Sequence, residues 1–373
     1  MAAHRRGHNE GSIRQRADGR WEALVTLPHG KRKSYYGRTR AEVQHKLVAG
    51  LKARQDGLPL PNEKQTIEQY LSRWYEDVVM TTTRPSTSAS YGRYLHLHIL
   101  PEIGRLPLAR LTPQDVQALM NRKLAAGLSP RTVQYMRAIL RRALGQALKW
   151  RLVPYNVAAM TDSPRVTRPE VQPLSPDQAR VFLDAARNHR LYALYAVALA
   201  IGLRQGEALG LRWPDVDLDT GRLTVRAALQ RVNGKLQLVE PKTARSRRTI
   251  ALPAVAIEAL RAHHVGQLEQ RMSSKIWQET GLVFTTTVGT PLDPRNVTRQ
   301  FQKLLAQAGL PHQRFHDLRH ACASLLLAQG VHPRVVMETL GHSQISLTMD
   351  TYSHVMPSLQ REAADKMDAI FGR

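Results

Sequence analysis

The chain has 373 residues, 42% of them hydrophobic, and 54 Lys and Arg against 30 Asp and Glu, a formal charge of +24. That length implies two or three domains, and that apolar content excludes a wholly disordered chain. The charge excess raises the local concentration of a polyanion. Nucleic acid is favoured over an acidic membrane, because the basic residues are spread along the whole chain and no amphipathic terminal anchor appears.

The N-terminal stretch MAAHRRGHNEGSIRQR lacks the apolar core of a secretory signal. No segment approaches the roughly 18 uninterrupted apolar residues of a membrane span. A soluble, cytoplasmic, nucleoid-associated protein with no membrane partner is expected. Residues 1–60 hold 13 Lys and Arg and 5 Asp and Glu. GSIRQRA, RWEALVTL and KRKSYYG read as three short strands, with Asp18-Gly19 and His29-Gly30 as turns between them. Thr39 with Glu42 three residues on is a capping-box pattern that opens a helix. A small basic sheet punctuated by Trp21, Tyr35 and Tyr36 can lay strands in a DNA groove, with Arg14, Arg16, Lys31 and Lys33 as its phosphate contacts. The plainer alternative is a solvated basic sheet with Trp21 in its core.

DGLPLPNEKQ, at 56–65, reads as a linker. From 66 to 150 the chain reads as helices. Thr112-Pro113 and Ser129-Pro130 repeat one start signal, a capping hydroxyl before a proline at the first helical position. The helix after Ser129 should bury Val133, Met136, Leu140, Leu144 and Leu148 along one face, leaving Arg137 and Arg141 among the residues that can reach phosphates. A merely solvated basic face fits nearly as well. The proline-rich stretch 160–178 is the clearest boundary, and Ser175-Pro176 with Gln178 starts a new helix beyond it.

LYALYAVALAIGLRQGEALGLRW then reads as a helical run interrupted at Gly202 and Gly206. RLTVRAALQ, KLQLVE and SRRTIALP read as strands, the first two joined by an Asn233-Gly234 hairpin turn. Residues 294–371 read as mostly helical.

Within this C-terminal half, several polar residues stand where a core pattern does not want them. Arg204 directly follows an apolar run, and Glu207 three residues on can face it across one helical turn; a structural ion pair is the plain alternative. Lys242 lies in a basic turn with Arg245, Arg247 and Arg248. His316, Arg319 and His320 share a helical face by their i, i+3, i+4 spacing. His342 follows Gly341, which is placed as the residue ending the helix PRVVMETL. Tyr352 lies ten residues further on, in MDTYSHV. A metal at His316 and His320 is disfavoured, since HDLRH lacks the His-Glu-x-x-His order and sets Arg319 beside the cation. No metal is therefore expected. The arginines, the lysine and the histidines converge instead on an anion. Cys322, the lone cysteine, rules out an intramolecular disulfide, fits a reducing compartment and reads as a small core residue.

In this order, AIGLRQGEALGLRW, PKTARSRR, HDLRHACAS and LGHSQISLTMDTYSHV closely resemble the tyrosine recombinase (phage integrase) family, with Ala200 standing where its members often have Thr. The likeness to the catalytic domain runs from about 172 to the end, and residues 1–160 resemble the family's arm-binding and core-binding domains by layout. The resemblance implies an α+β chain: an arm-type DNA-binding domain at 1–60 with a three-stranded sheet and helix, a helical core-binding domain at 61–165, and a mainly helical catalytic domain with a small antiparallel sheet at 172–373. It implies a site-specific recombinase of mobile elements that exchanges one phosphodiester for another and so needs no cofactor and no ATP. Tyr352 is then the nucleophile, His316 the general base, Arg204 and Arg319 the clamp on the scissile phosphate, Lys242 the proton donor to the leaving 5′-hydroxyl and His342 a further phosphate ligand. Glu207 and His320 stand behind them, and Arg245 and Arg247 contact DNA. The implied partners are double-stranded attachment-site DNA, three further copies in a homotetramer on two duplexes, and accessory DNA-bending or excision-directing proteins. Leu359, Met367, Ile370 and Phe371 in the tail either dock on a neighbour or pack on their own domain. A type IB topoisomerase, a non-catalytic regulator and a metal-dependent nuclease are the rival readings, and the last predicts that EDTA abolishes cleavage.

Overall fold

The computed structural model describes residues 11–26, 32–55, 64–167, 172–232, 234–240, 247–341, 364–365 and 367–372. The chain sorts into two compact units, Met1–Arg168 and Pro169–Arg373. Helices with small antiparallel sheets make it an α+β protein.

In the first unit, β1 (Ser12–Gln15), β2 (Trp21–Thr26) and β3 (Arg32–Gly37) form one antiparallel sheet in sequence order. Alternation sorts its side chains. Ala23, Val25 and Tyr35 are buried with Val43 and Leu47 of α1 (Arg40–Gln55), and Trp21 packs at the margin of that cluster. Tyr36, one residue out of phase with Tyr35, is exposed. The Thr39 hydroxyl accepts the Glu42 N–H at 3.2 Å as the capping pattern predicts, but the Glu42 carboxylate takes the N–H of Arg38 at 3.0 Å rather than that of Thr39.

A second, separate core in this unit is helical. α2 (Ile67–Trp74) runs through a π-helical turn, Tyr75–Val79, and α3 (Pro85–Tyr94) through another, Leu95–Ile99. α4 (Pro113–Ala125) opens on a complete capping box between Thr112 and Asp115, and the Ser129 hydroxyl caps α5 (Pro130–Lys149). Val133, Met136, Leu140 and Leu144 are buried on α5 as expected. Leu148 is not: it is exposed, and Ile139, Ala143 and Ala147 widen the buried face instead. A 3.6-residue period turns a strict every-fourth-residue stripe away from the core after a few turns.

In the second unit, Ser175 and Gln178 form the expected capping box at the start of α6 (Pro176–Ala186). α7 (Tyr192–Ile201) is buried at every position from Ala193 to Leu199 and again at Ile201, so it is the helix around which the others pack. It ends at Gly202, in the left-handed region at φ 65°. Gly206 does not interrupt anything: it lies inside α8 (Gln205–Leu209), where the Leu229 carbonyl would come within 2.9 Å of any added Cβ.

The stretch read as one strand at 222–230 is two. β5 (Arg222–Val225) pairs with β4 (Val216–Asp217) on one side and β8 (Arg248–Ala251) on the other, while β6 (Ala228–Val232) and β7 (Lys235–Val239) form a separate hairpin. The register Val232↔Lys235 leaves a two-residue turn at 233–234, as the Asn-Gly pair predicts. α9 (Ala254–Ser273) has no clear signal in the sequence, because it buries Ala256, Ala259, Leu260 and Gln267 rather than a stripe of large apolar side chains. α10 (Pro294–Gln307), α11 (Asp317–Ala328) and α12 (Pro333–Leu340) complete the unit. Among the described residues, no helix is long and apolar enough to cross a membrane.

Candidate active site

Arg204 is the N-cap of α8, and Glu207 is its third residue. The predicted pairing is present. Glu207 Oε1 accepts from Arg204 Nη1 at 2.6 Å, and Oε2 accepts the Arg204 backbone N–H at 3.1 Å. The Glu207 carboxylate has a second cation that local spacing does not disclose: Arg248 Nη2 donates to Oε2 at 3.0 Å. Burial alone raises the Glu207 pKa, but Arg248 and Arg204 override it and hold the carboxyl below its ordinary value.

Both arginines also grip the end of α12. Arg204 Nη2 donates to the Gly341 carbonyl at 3.2 Å, and Arg248 Nε to the Thr339 carbonyl at 2.7 Å. These are the unpaired carbonyls of a helix C-terminus, where positive charge is stabilised by the helix dipole. Gly341 closes that helix at φ 67°, with Arg248 packed so closely that an added Cβ would meet its Nη1 at 3.0 Å.

Arg319 does the same for a different helix. It is 1% exposed, and its Nη1 donates to the carbonyl of Gly202 at 2.8 Å, at the C-terminal end of α7. Arg319 thus holds the turn two residues before Arg204, and Arg204 holds the turn one residue before His342. In this arrangement only Arg204, its side chain 38% exposed, keeps an open face, whereas the Glu207 and Arg248 side chains are buried.

His316 precedes α11 with an exposed edge, and its ring meets that of His320 edge-on at 5.0 Å between centroids. The packed protein beneath it, the charge of His320 and that of Arg319 lower its pKa to about 4, so it is a neutral imidazole at pH 7. His320 is lowered as well, chiefly by burial. Asp317, between them, accepts from the Arg314 backbone N–H at 2.7 Å and from its guanidinium, which fixes the entry to α11. The helical face expected to carry His316, Arg319 and His320 together is divided: the histidines lie at the margin and Arg319 points into the core. Among the described residues no group of three or more His, Cys, Asp or Glu is placed to hold a metal ion. Cys322 is buried, its thiol pushed up to about 12. Lys31, Lys242, Arg245, His342, Tyr352 and Leu359 lie outside the described residues, as do the His29-Gly30 turn and most of the 56–65 stretch.

The residues expected to touch DNA separate into different settings. Arg14 and Arg16 are exposed; Arg14 pairs with Glu22 at 2.7 Å, and Arg16 lies over the Tyr36 ring at 5.5 Å. Lys33 is on the other face, in phase with Tyr35, with its ammonium 5.4 Å from that ring. Arg141 is exposed on α5, whereas Arg137 is partly buried and spends its guanidinium on Thr161, with Nε to Oγ1 at 3.0 Å. Arg247 is exposed and pairs with Glu240 at 3.0 Å.

The site is thus a buried carboxylate held between two arginines, of which Arg204 keeps a partly exposed side chain. Residues 172–358 match the Phage integrase family and residues 66–124 the Phage integrase, N-terminal SAM-like domain. The chain belongs to the phage integrase family, the tyrosine recombinases that cleave and rejoin DNA in site-specific recombination. Its relatives include an integrase of Streptomyces ambofaciens, 31% identical with 95% of this chain and 94% of that one covered. A tyrosine recombinase XerC-like protein of Caldanaerobacter subterraneus subsp. tengcongensis is 29% identical, over 91% of this chain and 92% of the other. Two solved structures share the fold. One is the Tn1549 transposon integrase in complex with transposon right end DNA (TM-score 0.69, 22% identity, 81% of this chain and 99% of that one). The other is a lambda integrase tetramer bound to a Holliday junction (TM-score 0.59, 19% identity, 93% and 96%).

Proposed function

We propose that this chain integrates and excises a mobile element by forming a 3′-phosphotyrosyl link between Tyr352 and attachment-site DNA. The phenol, with an ordinary pKa near 10, attacks the scissile phosphate as its proton leaves, and His316 in its neutral form is suited to take part in that transfer. Charge builds on the non-bridging oxygens in the pentavalent transition state, and the open face of Arg204 is aimed to neutralise it. Lys242 protonates the departing 5′-oxygen, which leaves as a hydroxyl, and His342 adds a hydrogen bond to the phosphate. One diester replaces another, so the partner strand's 5′-hydroxyl can reverse the step without ATP. Arg319, buried against Gly202, acts through the turn that carries Arg204 rather than as a second clamp on the phosphate.

The observation that carries this reading is the Glu207-centred clamp, which leaves one guanidinium open and fixes the helix end adjoining His342. The Holliday-junction-bound lambda tetramer supports a homotetramer on two duplexes for this chain. The three modules at 1–60, 61–165 and 172–373 then serve distal arm sites, core sites and catalysis, with accessory bending or excision proteins setting direction. A nicked suicide substrate tests the reading. Wild-type protein should yield a covalent adduct on a denaturing gel, and Tyr352→Phe should abolish it with DNA binding retained. An adduct that survives the substitution removes Tyr352 from the mechanism.

A further inference from the structure

We infer that Arg248 is a positioning residue for strand cleavage, acting on Arg204 through the shared Glu207 carboxylate and on the His342 segment through the end of α12. The inference rests on the reading of Arg204 as the phosphate clamp.

Three observations converge on it. Arg248 opens β8 in phase with the buried Ile250 and Leu252, so its side chain enters the interior, and it is only 7% exposed. Its guanidinium spans two elements at once, with Nη2 on Glu207 Oε2 of α8 at 3.0 Å and Nε on the Thr339 carbonyl of α12 at 2.7 Å. Gly341 lacks the Cβ that would collide with it, so the helix can end flat against the arginine.

The geometry assigns a specific task. Glu207 has one oxygen committed to Arg204 Nη1 and the other shared between the Arg204 backbone and Arg248. Removing Arg248 frees the carboxylate to rotate toward Arg204, and Arg204 moves with it. The same guanidinium ties α12 to the strand that begins six residues after Lys242. One fork thus joins the supports of three proposed participants in the reaction: Arg204 directly, and His342 and Lys242 through the chain next to each. A lysine keeps the charge but, as a single point donor, cannot reproduce two bonds in a fixed planar geometry. A misplacement of about 1 Å can cost on the order of 100-fold in rate.

The test is single-turnover cleavage of the nicked suicide substrate at saturating protein by Arg248→Lys, Arg204→Ala and the double variant, with DNA affinity and thermal unfolding measured alongside. Arg248→Lys should cleave about 10- to 100-fold more slowly, with DNA affinity within about 3-fold of wild type. The double variant should lose less than the product of the two single losses, because one of the two routes from Arg248 runs through Arg204. A substrate with a neutral methylphosphonate at the scissile position should narrow the Arg248→Lys deficit, as the transition state then carries one negative charge fewer for Arg204 to neutralise. If Arg248→Lys fails to fold, Glu207→Gln with Arg248→Met removes the buried charges together and should show the same rate loss and the same narrowing. Wild-type cleavage by Arg248→Lys, fully additive losses in the double variant or an unchanged deficit on the neutral substrate would overturn the inference while Arg204→Ala stays slow. Normal cleavage by Arg204→Ala would instead overturn the reading of Arg204 on which it rests.

Discussion

The arginines of the N-terminal sheet and those of the second unit have the same chemistry and opposite surroundings. Arg14 and Arg16 lie on an exposed face, each with one neighbour, Glu22 or the Tyr36 ring. Arg248 and Arg319 are buried, and with Arg204 they terminate helices by donating to the carbonyls of Thr339, Gly202 and Gly341. An exposed guanidinium contributes a screened charge that a neighbouring lysine can replace. A buried one contributes direction, because its forked donors have a single geometry in which all are satisfied. The basic sheet therefore suits sequence-tolerant attraction to a polyanion, and the buried set suits chemistry on one phosphate.

Four measurements can break or sharpen that contrast. The largest effect is expected in cleavage. Arg204→Ala should slow it by about 100- to 1,000-fold, as for loss of one transition-state donor. Arg16→Ala should leave the cleavage rate of bound complexes unchanged and lower the salt dependence of binding by about one charge. Equal effects in the two assays would erase the distinction. In stability, Glu207→Ala leaves two arginines facing each other without their shared carboxylate, and should cost about 3–5 kcal/mol in urea unfolding. Asp77→Ala, which breaks the exposed pair with Arg73, should cost less than about 1 kcal/mol.

A smaller effect separates two glycines. Gly341→Ala and Gly127→Ala both place a Cβ on a left-handed backbone, at φ 67° and 84°, which costs about 1–2 kcal/mol each. Only Gly341 has a neighbour in the way, Arg248, so only its alanine should also slow cleavage. The smallest effect is in pH dependence. The folded pKa of His316, about 4, lies below its ordinary value of 6.5. The unfolded chain therefore binds the proton first, and stability falls as pH drops from 6.5 toward 4. His316→Asn should flatten thermal unfolding across that window; an unchanged slope would place its cause elsewhere.

Local rules are legible in the chain wherever their partners lie within a few residues. The hydroxyl caps at Thr112, Ser129 and Ser175, the hairpin register at Val232↔Lys235, the Gly341 helix end and the Arg204–Glu207 pair all follow from such spacing. Expectation and structure part where the surroundings override a local signal. Gly206 stays helical because β6 packs against it, and Leu148 turns outward as the helix rotates past the core. Arg248 carries a signal of its own: in SRRTIALP it is in phase with Ile250 and Leu252, and an arginine at an inward strand position needs a partner.

By itself the sequence determined the order of motifs, the charge that draws a polyanion, and the elements whose caps and turns bond over three or four residues. Tertiary structure alone decided which partners the arginines would take. The bonds responsible join Glu207 to Arg248 across 41 residues, Thr339 to Arg248 across 91, Gly202 to Arg319 across 117 and Gly341 to Arg204 across 137. No periodicity encodes partners at such separations. They meet because α7 ends beside α11, which carries Arg319, and α12 ends beside the turn and strand that carry Arg204 and Arg248, and a helix's unpaired carbonyls attract whatever guanidinium the packed core brings within reach.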